Sequence, residues 1–146
     1  MSALRVVMTS GVFDLLHRGH INLLWRSRLL GDVLIVGVVS DAGTNAYKNR
    51  FPVENQQLRM ERVGRLSFVD VVAAQATTDP TPLLRRFRPD VFTHGDDWER
   101  LLQGQDTIEA LGILYVSLPY TPGVSSTGLR RAINDRDRNE PSTKAS

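Results

Sequence analysis

The stretch LRVVMTSGVFDLLHRGHINLL, Leu4 to Leu24, decides how this chain folds. It opens on an apolar run, Leu4–Ser10, that reads as a short buried strand. A glycine-containing turn follows. Then comes a helix over His20–Leu30, whose apolar residues fall on roughly one face and which Gly31 stops. Two of the chain's three histidines, His17 and His20, stand three residues apart where strand hands over to helix. A strand-to-helix turn of this kind presents backbone N–H groups and a helix N-terminus, which together favour an anion. Histidines at i and i+3 add two donors on the same side. Phosphoryl and nucleotidyl transfer need that kind of positioned charge. A cap plus a surface histidine explains the pair equally well. A zinc pair is the weaker reading, because the only other histidine is His94 and the nearby carboxylates favour hard cations.

The pattern repeats outward from this unit. Asp32–Ser40 is almost entirely apolar and β-branched, as suits a central parallel strand covered on both faces. DAGTNAYKNRF, Asp41–Phe51, reads as a polar loop with a basic tip. Glu54–Leu66 reads as a helix, FVDVVAA as a strand, and DPTPLLRRFR as a helix capped by Asp79. PDVFTHG is strand and turn. DWERLLQGQDTIEALG carries a helix weakened by Gly104, ILYVSLP is a last strand, and SSTGLRRAI a last helix. Strands alternating with helices predict a single-domain, doubly wound (Rossmann-like) parallel α/β sheet of about five strands. The domain spans residues 1–134, and the polar stretch 135–146 is expected to be disordered. In such sheets ligands bind beyond the carboxyl ends of the strands, at the switch point. Four loaded segments follow strands and so share one rim: TSGVFD, SDAGTNAYK, THGDDW and PYTPGVSST.

Bulk properties narrow the function. The chain has 146 residues, 41% of them hydrophobic, which fits one domain. Its net charge of +2 gives little support to nucleic-acid binding. With no cysteine, disulfides, thiolate ligands and a cysteine nucleophile are excluded. No apolar run reaches membrane-spanning length and no signal-peptide pattern opens the chain, so a cytoplasmic protein is expected.

GVFDLLHRGHINLL closely resembles the H-x-G-H signature of nucleotidyltransferases of the glycerol-3-phosphate cytidylyltransferase type, whose pattern runs G-x-F-D-x-x-H-x-G-H. HGDDW, His94–Trp98, resembles the family's G-D-D-W turn. GVSST, Gly123–Thr127, resembles its G-I-S-T-T segment. LRMERVGRLSFVD, Leu58–Asp70, resembles the stretch that places an arginine eleven residues before an aspartate. H-x-G-H alone is moderately specific, since class I aminoacyl-tRNA synthetases share a related motif on much longer chains. The four segments in order make a strong signal.

The resemblance implies a role for each segment. His17 and His20 would contact the triphosphate and stabilise charge at the α-phosphorus. Lys48, with Arg50 as competitor, would bridge donor and acceptor phosphates, and Arg59 would neutralise phosphate or hold the acceptor. The nucleotide would lie against Ser10, Gly11, Val12, Phe13, Asp14 and Gly19 of the turn. Asp14 would hold that turn or help position the metal. Gly95, Asp96, Asp97 and Trp98 would recognise nucleoside and acceptor, Ser125, Ser126 and Thr127 the β- and γ-phosphates, and Tyr120 and Val124 would complete the nucleotide-binding set. Tyr120 departs from the pattern, because the family carries a phosphate-binding arginine there; Arg130, Arg131 or Arg50 would have to substitute. The implied reaction joins CTP to a small phosphorylated or phosphonate alcohol, with Mg²⁺ on the phosphates. A homodimer is expected by the same analogy, with neither nucleic acid nor membrane as partner. Two rivals stand beside it: an adenylyltransferase using ATP and a sugar phosphate, and a nucleotide-binding module without catalysis.

Overall fold

A computed structural model describes residues 3–95 and 103–119. Five strands form one parallel sheet: β1 (Val6–Gly11), β2 (Val33–Val39), β3 (Val71–Gln75), β4 (Val91–Gly95) and β5 (Leu114–Leu118), in the order β3-β2-β1-β4-β5. Between them run α1 (Arg18–Arg28), α2 (Asp41–Lys48), α3 (Gln56–Gly64), α4 (Thr81–Phe87) and α5 (Gln105–Ala110). The expected fold class is the one observed. The chain moves outward from β1 through β2 to β3, then returns to place β4 on the other side of β1. The switch point therefore lies between the carboxyl ends of β1 and β4.

Alternation along the strands builds two cores. Val7, Leu34, Val36, Val38 and Val91 face α1 and α3 with Leu24 and Val63. Met8, Ile35, Ala73 and Phe92 face α4 and α5 with Leu83, Leu84 and Ile108. Successive residues of a strand thus serve opposite layers, as a period of two requires.

Three aspartates lock the amino ends of the strands. Asp32 accepts the Arg5 N–H, Asp90 the Val6 N–H and Asp70 the Leu34 N–H, each at 2.8 Å. Asp70 also pairs with Arg28 at 3.3 Å. These bonds satisfy N–H groups at strand entry and pin the register at the pole opposite the switch point.

Two expectations are corrected and a third is sharpened. Asp41–Phe51 is not a loop: Ser40 caps α2 by accepting the Gly43 N–H at 2.9 Å, and Asn49 ends it in the left-handed region (φ 57°). A side-chain oxygen before the first turn, Asp41 in it, Lys48 in the last turn and a left-handed Asn after it are helix-terminus features, which outweigh the poor helix propensity of Gly43 and Thr44. Pro80, not Asp79, occupies the cap position of α4; Asp79 sits one residue earlier and accepts the Thr81 N–H at 3.0 Å. The helix expected around Gly104 is present as α5. Gly104 adopts φ 82° and α5 starts after it, a backbone conformation glycine adopts without steric cost.

Candidate active site

The turn between β1 and α1 explains the spacing of the two histidines. His17 is the N-cap of α1. Its Nδ1 accepts the Gly19 N–H at 3.0 Å and the His20 N–H at 3.4 Å. His20 reaches back, and its Nδ1 accepts the His17 N–H at 3.3 Å. This is a reciprocal capping box, built from imidazoles in place of the usual Ser/Thr and Glu/Gln. The rings stack, with centroids 3.8 Å apart and planes 20° from parallel.

The box determines where the protons are. A backbone N–H can only donate, so both Nδ1 atoms are acceptors and each neutral ring carries its proton on Nε2. The helix cap thereby turns two histidines into two Nε2–H donors. His17 Nε2 is buried and meets no hydrogen-bond partner among the described residues, and a buried donor of this kind calls for a partner. Burial lowers the His17 pKa from its ordinary value of 6.5. His20 is lowered further, to about 3, first by burial, then by the neighbouring His17 and the charge of Lys48. Both rings are neutral donors at pH 7.

A pH dependence follows with a definite sign. The unfolded chain protonates His20 near 6.5, while the folded chain does so only near 3. The stability tied to this ring is whole above 6.5 and is lost as pH falls toward 3. Urea unfolding from pH 7 to pH 4 should therefore show wild type losing stability faster than His20→Gln. Parallel profiles would mean that His20 titrates alike in both states.

The turn itself is under backbone tension. Phe13 and Leu15 both hold positive φ, 55° and 52°, which is uncommon for bulky residues and collects at functional sites. The Phe13 ring is buried and meets His20 edge-on at 5.5 Å. A Cβ on Gly11 would stand 3.1 Å from that ring, so the glycine makes room for it. Asp14 is buried and its two oxygens accept the Val53 and Glu54 N–H groups at 2.8 and 3.0 Å. It holds the segment before α3 against the turn, and both of its oxygens are committed to backbone. Ser10, also buried, donates to Gln75 Oε1 at 2.8 Å. The Val12 carbonyl accepts from Arg59 at 2.6 Å.

A hydroxyl chain ties α1 to β4. Ser27 donates to the Leu23 carbonyl at 2.8 Å, so Thr93 must donate to Ser27 Oγ at 2.7 Å. Thr9 in turn donates to the Thr93 carbonyl at 2.9 Å. All three residues are fully buried, and they hold the histidine-bearing helix over the switch point. A shallow open cleft lies there, lined by Gly19, His20, Leu23, Gly95 and Pro119.

The structure thus gathers His17, His20, Gly19 and Gly95 at the switch point and brings the charge of Lys48 to His20. Arg59 lies in the interior. Its side chain is fully buried, and its guanidinium donates to the Glu54 carbonyl, the Val12 carbonyl and the Asp41 carboxylate. Asp96, Asp97, Trp98, Tyr120, Val124, Ser125, Ser126 and Thr127 lie outside the described residues, as do the last helix and the polar tail. Among the described residues no group of three or more His, Asp or Glu side chains is arranged to hold a metal ion, and no helix is long and apolar enough to cross a membrane. Asp41, Glu54 and Gln75 shape the site and were not singled out in the sequence. Ser40 directly after a strand was the signal for Asp41; nothing local announces Glu54 or Gln75, whose partners lie 39 and 65 residues away.

Known proteins resemble this chain. The chain matches the model of the cytidylyltransferase-like family over residues 8–132. It is 37% identical over 134 residues to the bifunctional protein HldE of Proteus mirabilis, covering 90% of this chain and 28% of that protein. It is 35% identical over 133 residues to HldE of Desulfatibacillum aliphaticivorans, covering 90% and 27%. The chain therefore spans little more than a quarter of the length of these relatives. The crystal structure of the lipopolysaccharide core biosynthesis protein from Thermoplasma volcanium superimposes with a TM-score of 0.69 at 31% identity, over 82% of this chain and 98% of that one. Pantoate-beta-alanine ligase from Francisella tularensis shares the fold at a TM-score of 0.62 and 17% identity, over 96% of this chain and 67% of its own. With the H-x-G-H turn at the switch point of a 3-2-1-4-5 sheet and the family model matched across nearly its whole length, this chain belongs to the cytidylyltransferase-like family of nucleotidyltransferases.

Proposed function

We propose that the protein transfers CMP from CTP to a small phosphorylated or phosphonate alcohol and releases pyrophosphate. The observation that carries nucleotidyl transfer is the paired-imidazole cap at the start of α1, whose His17 Nε2 donor is buried and meets no partner among the described residues. An acceptor oxygen attacks the α-phosphorus in line, the new P–O bond forms, and the bond to the bridging oxygen of the β-phosphate breaks. The protein forms no covalent intermediate. The Nε2–H groups of His17 and His20 donate to oxygens whose charge grows in the transition state, and Lys48 offsets the charge where two anions meet. Mg²⁺, when bound with the nucleotide, would supply further charge neutralisation. Such an ion, bound with the nucleotide, would be held mainly by the phosphates and water.

The choice of CTP rests on the G-D-D-W sequence and on the family description, and the roles of Asp96–Trp98 and of Ser125–Thr127 rest on resemblance alone. A second reading has its own support. Similarity to HldE proteins and to a lipopolysaccharide core biosynthesis protein favours a phosphorylated sugar as acceptor, with ATP as donor. A homodimer in the cytoplasm accompanies either reading. Pyrophosphate release measured with CTP and with ATP, each against glycerol phosphate, ethanolamine phosphate, a phosphonate and sugar phosphates, separates them. Turnover with CTP alone supports the first reading and turnover with ATP and a sugar phosphate the second. Nucleotide binding without turnover on any acceptor would leave a binding module.

A further inference from the structure

Arg59 and Asp41 carry an inference beyond the reaction itself, resting on the reading of Lys48 and the histidines as its machinery. A guanidinium with no exposure to water must find partners for its charge and its donors, and Arg59 finds them on three different segments. Nε donates to the Glu54 carbonyl at 2.9 Å, Nη1 to the Val12 carbonyl at 2.6 Å and Nη2 to Asp41 Oδ1 at 2.6 Å. Val12 directly precedes Phe13, the first residue of the turn with positive φ. Asp41 is the first residue of α2, and Lys48 is its last. Glu54 closes the arrangement: its carboxylate accepts the Leu15 N–H at 3.1 Å and pairs with Arg62 at 2.7 Å, while its own N–H goes to Asp14.

We infer that Asp41 and Arg59 are positioning residues: their ion pair sets the placement of the Lys48 end of α2 relative to the His17–His20 turn, and Arg59 acts through that pair and not on the substrate. The physical basis is rigidity. The guanidinium is a planar fork whose donors keep fixed directions, so the turn and the start of α2 cannot shift independently while both are bonded to it. Eight helical residues rise about 10 Å from Asp41 to Lys48, and a short helix moves as a rod. A small tilt at the anchored end displaces the lysine, and misplacement of about 1 Å in such a site costs on the order of a hundredfold in rate. Neither side chain needs to reach the cleft for this.

The absence of cysteine makes a direct measurement simple. Nitroxide labels at Lys48→Cys and at Leu29→Cys, on the exposed C-cap of α1, report the distance between the two elements by pulsed electron–electron resonance. With Asp41 intact the distribution should be single and narrow. Asp41→Ala should broaden or displace it, and Asp41→Asn, which keeps an oxygen for Nη2, should stay close to the original. In unlabelled protein, Asp41→Ala should lower kcat about tenfold or more with a smaller change in the nucleotide KM. Added to Lys48→Met it should lower kcat little further, because the two changes disable one contact. An unchanged distance distribution in Asp41→Ala overturns the inference. So does a full additional loss of kcat in the Lys48→Met background. Tighter nucleotide binding in Asp41→Ala with unchanged distances would instead make Arg59 a direct phosphate contact. The spin-label result requires no substrate, so it stands whether or not the proposed transfer is observed. Should Asp41→Ala fail to fold, Asp41→Glu, with an arm one methylene longer, must displace the distribution on the same argument; no displacement overturns it.

Discussion

Replacing His17 with Asn and His20 with Gln should lower turnover at least about a hundredfold each while leaving thermal stability near wild type. The choice of substitutions follows from the capping box. Asn is a strong N-cap and Gln is a usual partner three residues on, so each keeps an acceptor for the N–H that the imidazole served. What each lacks is the Nε2–H donor held rigidly on the far side of a ring. His17→Ala and His20→Ala should lose turnover as well, but with a stability cost of about 1 kcal/mol from the broken cap. Comparing the two sets separates the two jobs of each histidine. Pyrophosphate-release rates and melting temperatures for the four variants decide it. Near-wild-type turnover in His17→Asn or His20→Gln would return that histidine to a capping role alone.

The second large effect concerns stability. Arg59→Met keeps the length of the side chain and removes every donor. The Val12 and Glu54 carbonyls would lose their Arg59 donors beside a fully buried side chain. Breaking a buried charged pair and its hydrogen bonds costs about 3–5 kcal/mol, a large share of a typical domain's total stability. Asp41 softens the loss, because it is partly exposed and water can replace its partner. Arg59→Lys should also destabilise, since a single ammonium cannot reproduce a planar fork aimed at three acceptors. Urea midpoints for both variants test this. A change within about 0.5 kcal/mol for Arg59→Met, the scatter of an ordinary surface substitution, would show that the guanidinium is not holding these segments together.

The doubly wound sheet was legible because its signals are local. Apolar, β-branched runs such as Val33–Val39 and the helical period of α1 announce themselves within a dozen residues. So did the histidine turn, whose meaning depends on a spacing of three along one short segment. The α2 helix was missed for a local reason too. Gly43, Thr44 and Asn45 argue against a helix, and its support comes from its two caps and from tight packing, with Gly43 so close to the Ala76 carbonyl that a Cβ would stand 2.5 Å from it. No window of sequence contains that contact.

Sequence by itself determined the alternation of elements and the place of the two histidines where β1 hands over to α1, because these depend on periodicity and on short-range spacing. Tertiary structure decided what could not be spaced along a chain. It turned the histidines into neutral Nε2–H donors, since protonation follows from the burial of His20 and from the charge of Lys48 as well as from the cap. It buried the Arg59 side chain, whose acceptors lie on segments 5, 18 and 47 residues away that meet only once the sheet has formed. A hydrogen bond between distant segments has no sequence period, so the sequence could propose which residues carry the chemistry but not which of them hold the others in place.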